Sequence, residues 1–257
     1  MRRFENVAPQ RIGMMRSSNP YLNDESFGFG TGEARMTLEG VANKTMLLLG
    51  ICVVTATFSW ITMVNDPALG TIFFFIGVIG SLIAAFSMWF IDKQYAVYVG
   101  PIYAAFEGLF LGPMSGIYET MYSGIILQAI TLTFGLFLVM LVIYRARLIK
   151  PTENLRIGVA SAMGAIFMIY MVSFVLAIAT PYQIPYIHGN GIVGIGFSLI
   201  VIGVASLTFV MDFDFIEKGV EQGAPKHLEW YAAFGLMITL VWLYIELLRL
   251  LSKLRSR

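Results

Sequence analysis

The chain has 257 residues, 58% of them hydrophobic and 13% charged, where an ordinary soluble domain carries about 25% charged residues. Mean hydropathy is +0.76. A formal net charge of +1 excludes the basic footprint of a nucleic-acid binder, and the composition is that of a polytopic membrane protein, all-α in class. The single cysteine, Cys52, lies in an apolar run, has no internal disulfide partner and reads as packing.

In chain order, the opening M-R-R-F-E-N-V is polar, so no cleavable signal peptide is expected and the first span acts as its own signal. Residues 1–42 read as a disordered cytoplasmic tail with a short pre-span segment, M-T-L-E-G-V-A-N-K, at its end. Residues 43–250 read as a transmembrane domain and 251–257 as a basic carboxyl-terminal tail. Seven apolar runs fill the domain: Thr45–Val64, Gly70–Ile91, Val97–Tyr118, Gly124–Tyr144, Ile157–Ala179, Gly191–Met211 and Trp230–Leu248. Each approaches the ~20 residues that a helix needs to cross the hydrocarbon core. The links carry turn residues, such as Asn65-Asp66-Pro67 and Gly189-Asn190-Gly191, and are short enough to make sequential helices antiparallel neighbours. The expected fold is a seven-transmembrane-helix bundle.

Lys and Arg set the orientation. Six lie before the first span (Arg2, Arg3, Arg11, Arg16, Arg35 and Lys44). Lys93 lies in the second loop, Arg145, Arg147, Lys150 and Arg156 in the fourth, and Lys218 and Lys226 in the sixth, with none in the odd loops. The amino terminus is therefore expected in the cytoplasm and the protein in the cell (inner) membrane. Seven spans then place Arg249, Lys253, Arg255 and Arg257 outside, against the rule. Small residues share faces in the second run (Gly77, Gly80, Ala84), the third (Gly108, Gly112) and the fifth (Gly158, Ala162, Ala165), which reads as close helix packing.

Four acids fall in or beside spans: Glu107, Asp212, Asp214 and Glu246. Glu107 is about ten residues into the third run, near the midplane, where an ionisable group is costly. Asp212 and Asp214 stand at the inner end of the sixth. The runs hold no deep basic residue, which leaves the acids one another, a proton or a cation as partners. Carboxylates at close range share protons, and hard oxygen ligands suit Ca²⁺. Asp212 and Glu107 are the candidates for transient Ca²⁺ contacts. An enzyme is not expected: Ser115 has no histidine at its depth, His188 and His227 lie in loops, and there is no phosphate loop or Cys/His cluster. No cofactor is expected.

Several stretches together resemble the Bax inhibitor-1 family, also called the transmembrane Bax inhibitor motif family, in its bacterial branch. They are M-T-L-E-G-V-A-N-K-T before the first run and P-I-Y-A-A-F-E-G-L-F-L-G-P-M-S in the third. F-V-M-D-F-D-F-I-E after the sixth and L-V-W-L-Y-I-E-L-L-R-L-L-S-K-L in the last complete the match. The resemblance spans about Met36 to Leu254. It implies a bundle with the last helix near the centre and a pH-sensitive calcium leak, closed by two acids that share a proton, so that raising the pH opens it. Asp212 matches the first acid. Glu246 matches the second when L-Y-I-E is set against the family's L-Y-x-D. An alignment on I-E-L-L-R instead puts Thr239 there and removes the acid pair. Asp212 and Glu246 stand roughly 24 Å apart along the axis at 1.5 Å per residue, so they meet only if the sixth helix runs inward past Glu217 or the seventh starts well outside the membrane. Glu107 is the other candidate partner. The implied function is a proton-gated cation leak; the alternative is a non-conducting regulator that binds another membrane protein, such as a membrane-bound protease.

Overall fold

The structure is a computed structural model that describes residues 34–179 and 189–256. The tail up to residue 33 and His188 lie outside the described residues. Seven long helices follow one another: α1 (Leu38–Asn65), α2 (Pro67–Ser87), α3 (Ala96–Met121), α4 (Ile125–Arg145), α5 (Glu153–Ala179), α6 (Ile192–Glu221) and α7 (Leu228–Arg255). A short 3-10 turn, Lys93–Tyr95, leads into α3, and the described residues contain no strand. Six of the helices are long and apolar enough to cross a membrane. The seventh, α3, carries Pro101, Pro113 and Glu107, which lower its hydropathy without breaking the helix.

The ends have local causes. Thr37 caps α1 by accepting from the Gly40 N–H at 2.9 Å. Asp66 caps α2 through the Ala68 and Leu69 N–H groups, and Pro67 fits the first turn because its missing N–H would have no partner there. Gly223, at φ +68, turns the chain out of α6 while the Ala224 N–H reaches back to the Gly219 carbonyl at 2.9 Å. Arg147, at φ +56, does the same after α4, with the Leu148 N–H on the Ile143 carbonyl at 3.1 Å.

Three boundaries differ from the sequence reading. Helix α1 begins at Leu38, so the division at residue 43 falls inside it. Helix α6 does not stop at Met211 but continues ten residues further, to Glu221, which shortens the apparently long link to α7. Helix α7 runs to Arg255, so most of the expected basic tail is its last turn.

Helix α3 packs closely on α1 and α2. A side chain on Gly108 would overlap Thr55 Oγ1 and the Cys52 carbonyl, and one on Gly112 would overlap Ser59 and the Ala56 carbonyl. Gly77 similarly lies against the α3 backbone at Phe110, and Gly80 against the Phe106 ring. The Ser59 hydroxyl donates to the Gly108 carbonyl at 3.2 Å across this seam. By contrast Gly158 faces open space, so the small-residue stripe expected on α5 is not built around it.

Helix α7 contacts α1, α3, α4 and α6. Of its apolar window 67% is buried, against 17–44% in the other five candidate spans. Helices α6 and α7 form a long antiparallel hairpin, with Asp212 opposite Thr239 and Ser198 opposite Lys253.

Candidate functional site

The hairpin and its neighbours position nearly all the acids. A helix turns about 100° per residue, so Asp212 and Asp214, two positions apart, point to nearly opposite sides of α6. Asp212 faces α7, Asp214 faces α5, and the i, i+4, i+8 row Phe209, Phe213 and Glu217 faces α4. Phe137 and Tyr144 of α4 pack on that row, with ring centroids 5.3–5.8 Å apart.

Asp212 is fully buried, and its Oδ2 accepts from the Thr239 hydroxyl at 2.8 Å. Thr239 Oγ1 also lies 3.3 Å from the Gly235 carbonyl one turn back. The hydroxyl has one proton, and the shorter bond takes it. Of the two alignments of the last helix, the geometry therefore follows the one that places Thr239 opposite Asp212.

Glu246 lies seven residues further along α7, about 10 Å from Thr239 at 1.5 Å per residue. Its Oε2 accepts from Tyr170 and from Arg249, each at 2.8 Å, and its buried Oε1 has no hydrogen-bond partner among the described residues. The continuation of α6 past Glu217 satisfies one condition set for an Asp212–Glu246 pair, yet it brings Thr239, not Glu246, level with Asp212.

The expectation that the acids lack basic partners is corrected at two positions. The Asp214 carboxylate binds the buried Arg156, in the first turn of α5, and Lys218 from its own helix, the latter at 2.7 Å. Glu246 has Arg249 one turn away. These pairs escape a linear reading because Arg156 reads as a loop residue and Arg249 as the edge of a tail. Two further acids were missed altogether. Glu217 accepts from the Tyr144 hydroxyl and from Arg147, the latter at 2.8 Å, and its charge raises the Arg147 pKa further above its already high ordinary value. Glu229, in the first turn of α7, is fully buried and holds Lys44 and both the N–H and the hydroxyl of Thr37.

Glu107 is buried on α3, where the Ser81 and Tyr103 hydroxyls hydrogen-bond its carboxyl. Tyr103 in turn packs edge-on against Phe234 of α7, centroids 5.0 Å apart. At the far end of the hairpin, buried Lys253 donates to the Gly194 carbonyl at 2.9 Å and to Ser198 Oγ at 3.0 Å, and Arg255 to the Ser123 carbonyl at 2.7 Å. Among the described residues, no group of three or more His, Cys, Asp or Glu side chains is arranged to hold a metal ion.

Apolar helices of this length, enclosing buried acids, define a multi-pass helical membrane protein. The chain matches the family described as Bax inhibitor 1 like over residues 17–256, and it belongs to that family. No curated protein matches it.

Proposed function

We propose that the protein is a pH-sensitive cation leak of the cell (inner) membrane, with calcium as a permeant ion and Asp212 as the proton-sensing group. In this reading all seven helices span the bilayer, α7 stands at the centre, the amino terminus is cytoplasmic, and the chain is not an enzyme. The observation that carries it is the buried Asp212–Thr239 hydrogen bond joining two helices of a Bax inhibitor 1 like protein. Closure by a shared proton needs a second acid. With a hydroxyl as partner the sign changes: ionised Asp212 holds Thr239 by a charge-assisted bond, and protonation weakens that bond. The Thr239 hydroxyl can then return to the Gly235 carbonyl. Acid therefore loosens the hairpin, and flux is expected to rise as pH falls.

Calcium flux into liposomes between pH 5 and 8 tests this. Asp212→Asn and Thr239→Ala should each flatten the pH profile, while Glu246→Gln should retain it. A wild-type protein without cation flux, or one whose profile survives both substitutions, defeats the proposal.

A second reading has its own support. Asp214, Glu217, Glu229 and Glu246 are each bound by Lys or Arg, the first three by a residue of another segment, so they act as structural ion pairs and not as open cation ligands. That arrangement suits a non-conducting regulator bound to another membrane protein, such as a membrane-bound protease. Absence of flux in the same experiment favours it.

A further inference from the structure

The segment before α1 is joined to the α6–α7 turn by three kinds of contact. Arg35 and Pro225 form an antiparallel bridge, in which the Met36 N–H donates to the Ala224 carbonyl at 2.7 Å and the Lys226 N–H to the Ala34 carbonyl at 2.8 Å. Met36 is buried at the junction, 2% exposed. The Thr37 hydroxyl then does two things at once. It caps α1 by accepting from the Gly40 N–H, and it donates to Glu229 Oε1 at 3.0 Å in the first turn of α7. Lys44 completes the enclosure of the Glu229 carboxylate. The fit depends on Gly40, because any Cβ there would lie on the Glu229 carboxylate.

This joint differs physically from an apolar anchor. A buried ion pair contributes little net stability relative to its two ions in water, although it fixes geometry closely. Opening the joint returns Glu229 and Lys44 to water, and the buried apolar side chains that residues 34–44 give up are two, Met36 and Val41. Such a contact is specific when closed and inexpensive to open. It grips the turn that joins α6 to α7, and those two helices carry Asp212 and Thr239 some nine or ten residues inward.

We propose that residues 34–44 are a releasable latch, through which the amino-terminal segment controls the inner half of the α6–α7 hairpin and the Asp212–Thr239 contact. The consequence for flux rests on the leak reading above; the consequence for the hairpin does not.

The test is a reversible lock in the full-length chain. Opposed residues of an antiparallel bridge without mutual hydrogen bonds have Cα atoms about 4.5 Å apart, within the span of a disulfide. Arg35→Cys with Pro225→Cys, in a Cys52→Ser background, should therefore cross-link without moving the backbone. Amide hydrogen exchange of residues 222–240 in detergent is the first readout. Glu229→Gln should speed it at least tenfold, and oxidising the cysteine pair in that same variant should restore slow exchange. Exchange that is equal in wild type, Glu229→Gln and the locked form overturns the latch. Calcium flux at pH 6 is the second readout, with the oxidised form expected to conduct less than the reduced one. Equal flux in both forms of a conducting protein overturns control of the Asp212–Thr239 contact. Exchange that follows the lock in a protein with no flux at all supports the latch and defeats the leak.

Discussion

In the seam between α1 and α3 the backbones themselves meet, at Gly108 and Gly112, with the Ser59 hydroxyl as the crossing hydrogen bond. Between α5, α6 and α7 the crossings are hydrogen bonds to acidic side chains: Arg156 to Asp214, Tyr170 to Glu246, Thr239 to Asp212. Contacts made by shape act through many small dispersion terms and have no cheap alternative arrangement. Contacts made by a few hydrogen bonds to ionisable groups are discrete, and a proton or a partner can change them one at a time. The α1–α3 seam is thus suited to hold still, and the last three helices to carry a switch.

This contrast can be broken in order of expected effect. Gly108→Val should be the most damaging, since the added atoms meet the Cys52 carbonyl as well as the Thr55 side chain. Overpacking of this kind costs up to about 3 kcal/mol, and thermal unfolding in detergent should register it equally at pH 5 and pH 8. Arg156→Met should cost about 2 kcal/mol. That is below the usual figure for an orphaned buried charge, because Lys218 remains beside Asp214. Its double variant with Asp214→Leu should recover most of the loss in the same assay. Failure of the double variant to recover would mean that the α5–α6 contact is held by shape after all. Smallest should be Arg147→Ala, which removes an exposed ion pair with Glu217 worth less than about 1 kcal/mol and also relaxes nothing at φ +56 that alanine tolerates better than arginine. A salt titration of the melting temperature should show little difference between that variant and wild type.

Most of the helices were legible because each is a run of apolar residues bounded by turn chemistry, and Asn65-Asp66-Pro67 is both link and cap. What misled was charge. A linear reading ends a span at its first carboxylate, so α6 was closed at Met211, whereas Asp212 and Asp214 lie within it. Asp214 is held by Arg156, 58 residues away in sequence, and Asp212 by Thr239, 27 residues away, and separations of that size leave no periodic trace. Thr239 was visible only as one of two alignments, because a hydroxyl on an apolar helix carries no signal of its own. The Glu229 joint was invisible for a related reason. Its carboxylate sits at the start of a helix, where an acid is unremarkable, and only the fold brings Thr37 and Lys44 to it.

The far end of α7 bears on how the bundle is put together. Arg249, Lys253 and Arg255 lie at the opposite end of that helix from Glu229, and their partners are Tyr170 of α5, Gly194 and Ser198 of α6, and Ser123 and Gln128 beside α4. In the proposed topology, with seven spans and a cytoplasmic amino terminus, these cations would have to traverse the bilayer during biogenesis, a step costing several kcal/mol for each unpartnered charge. Apart from Glu246, which binds Arg249 within α7, these acceptors belong to segments made earlier. On that topology α7 would insert against helices already made, and a chain that stops before it would leave Gly194 and Ser198 without the Lys253 ammonium group that they hold here.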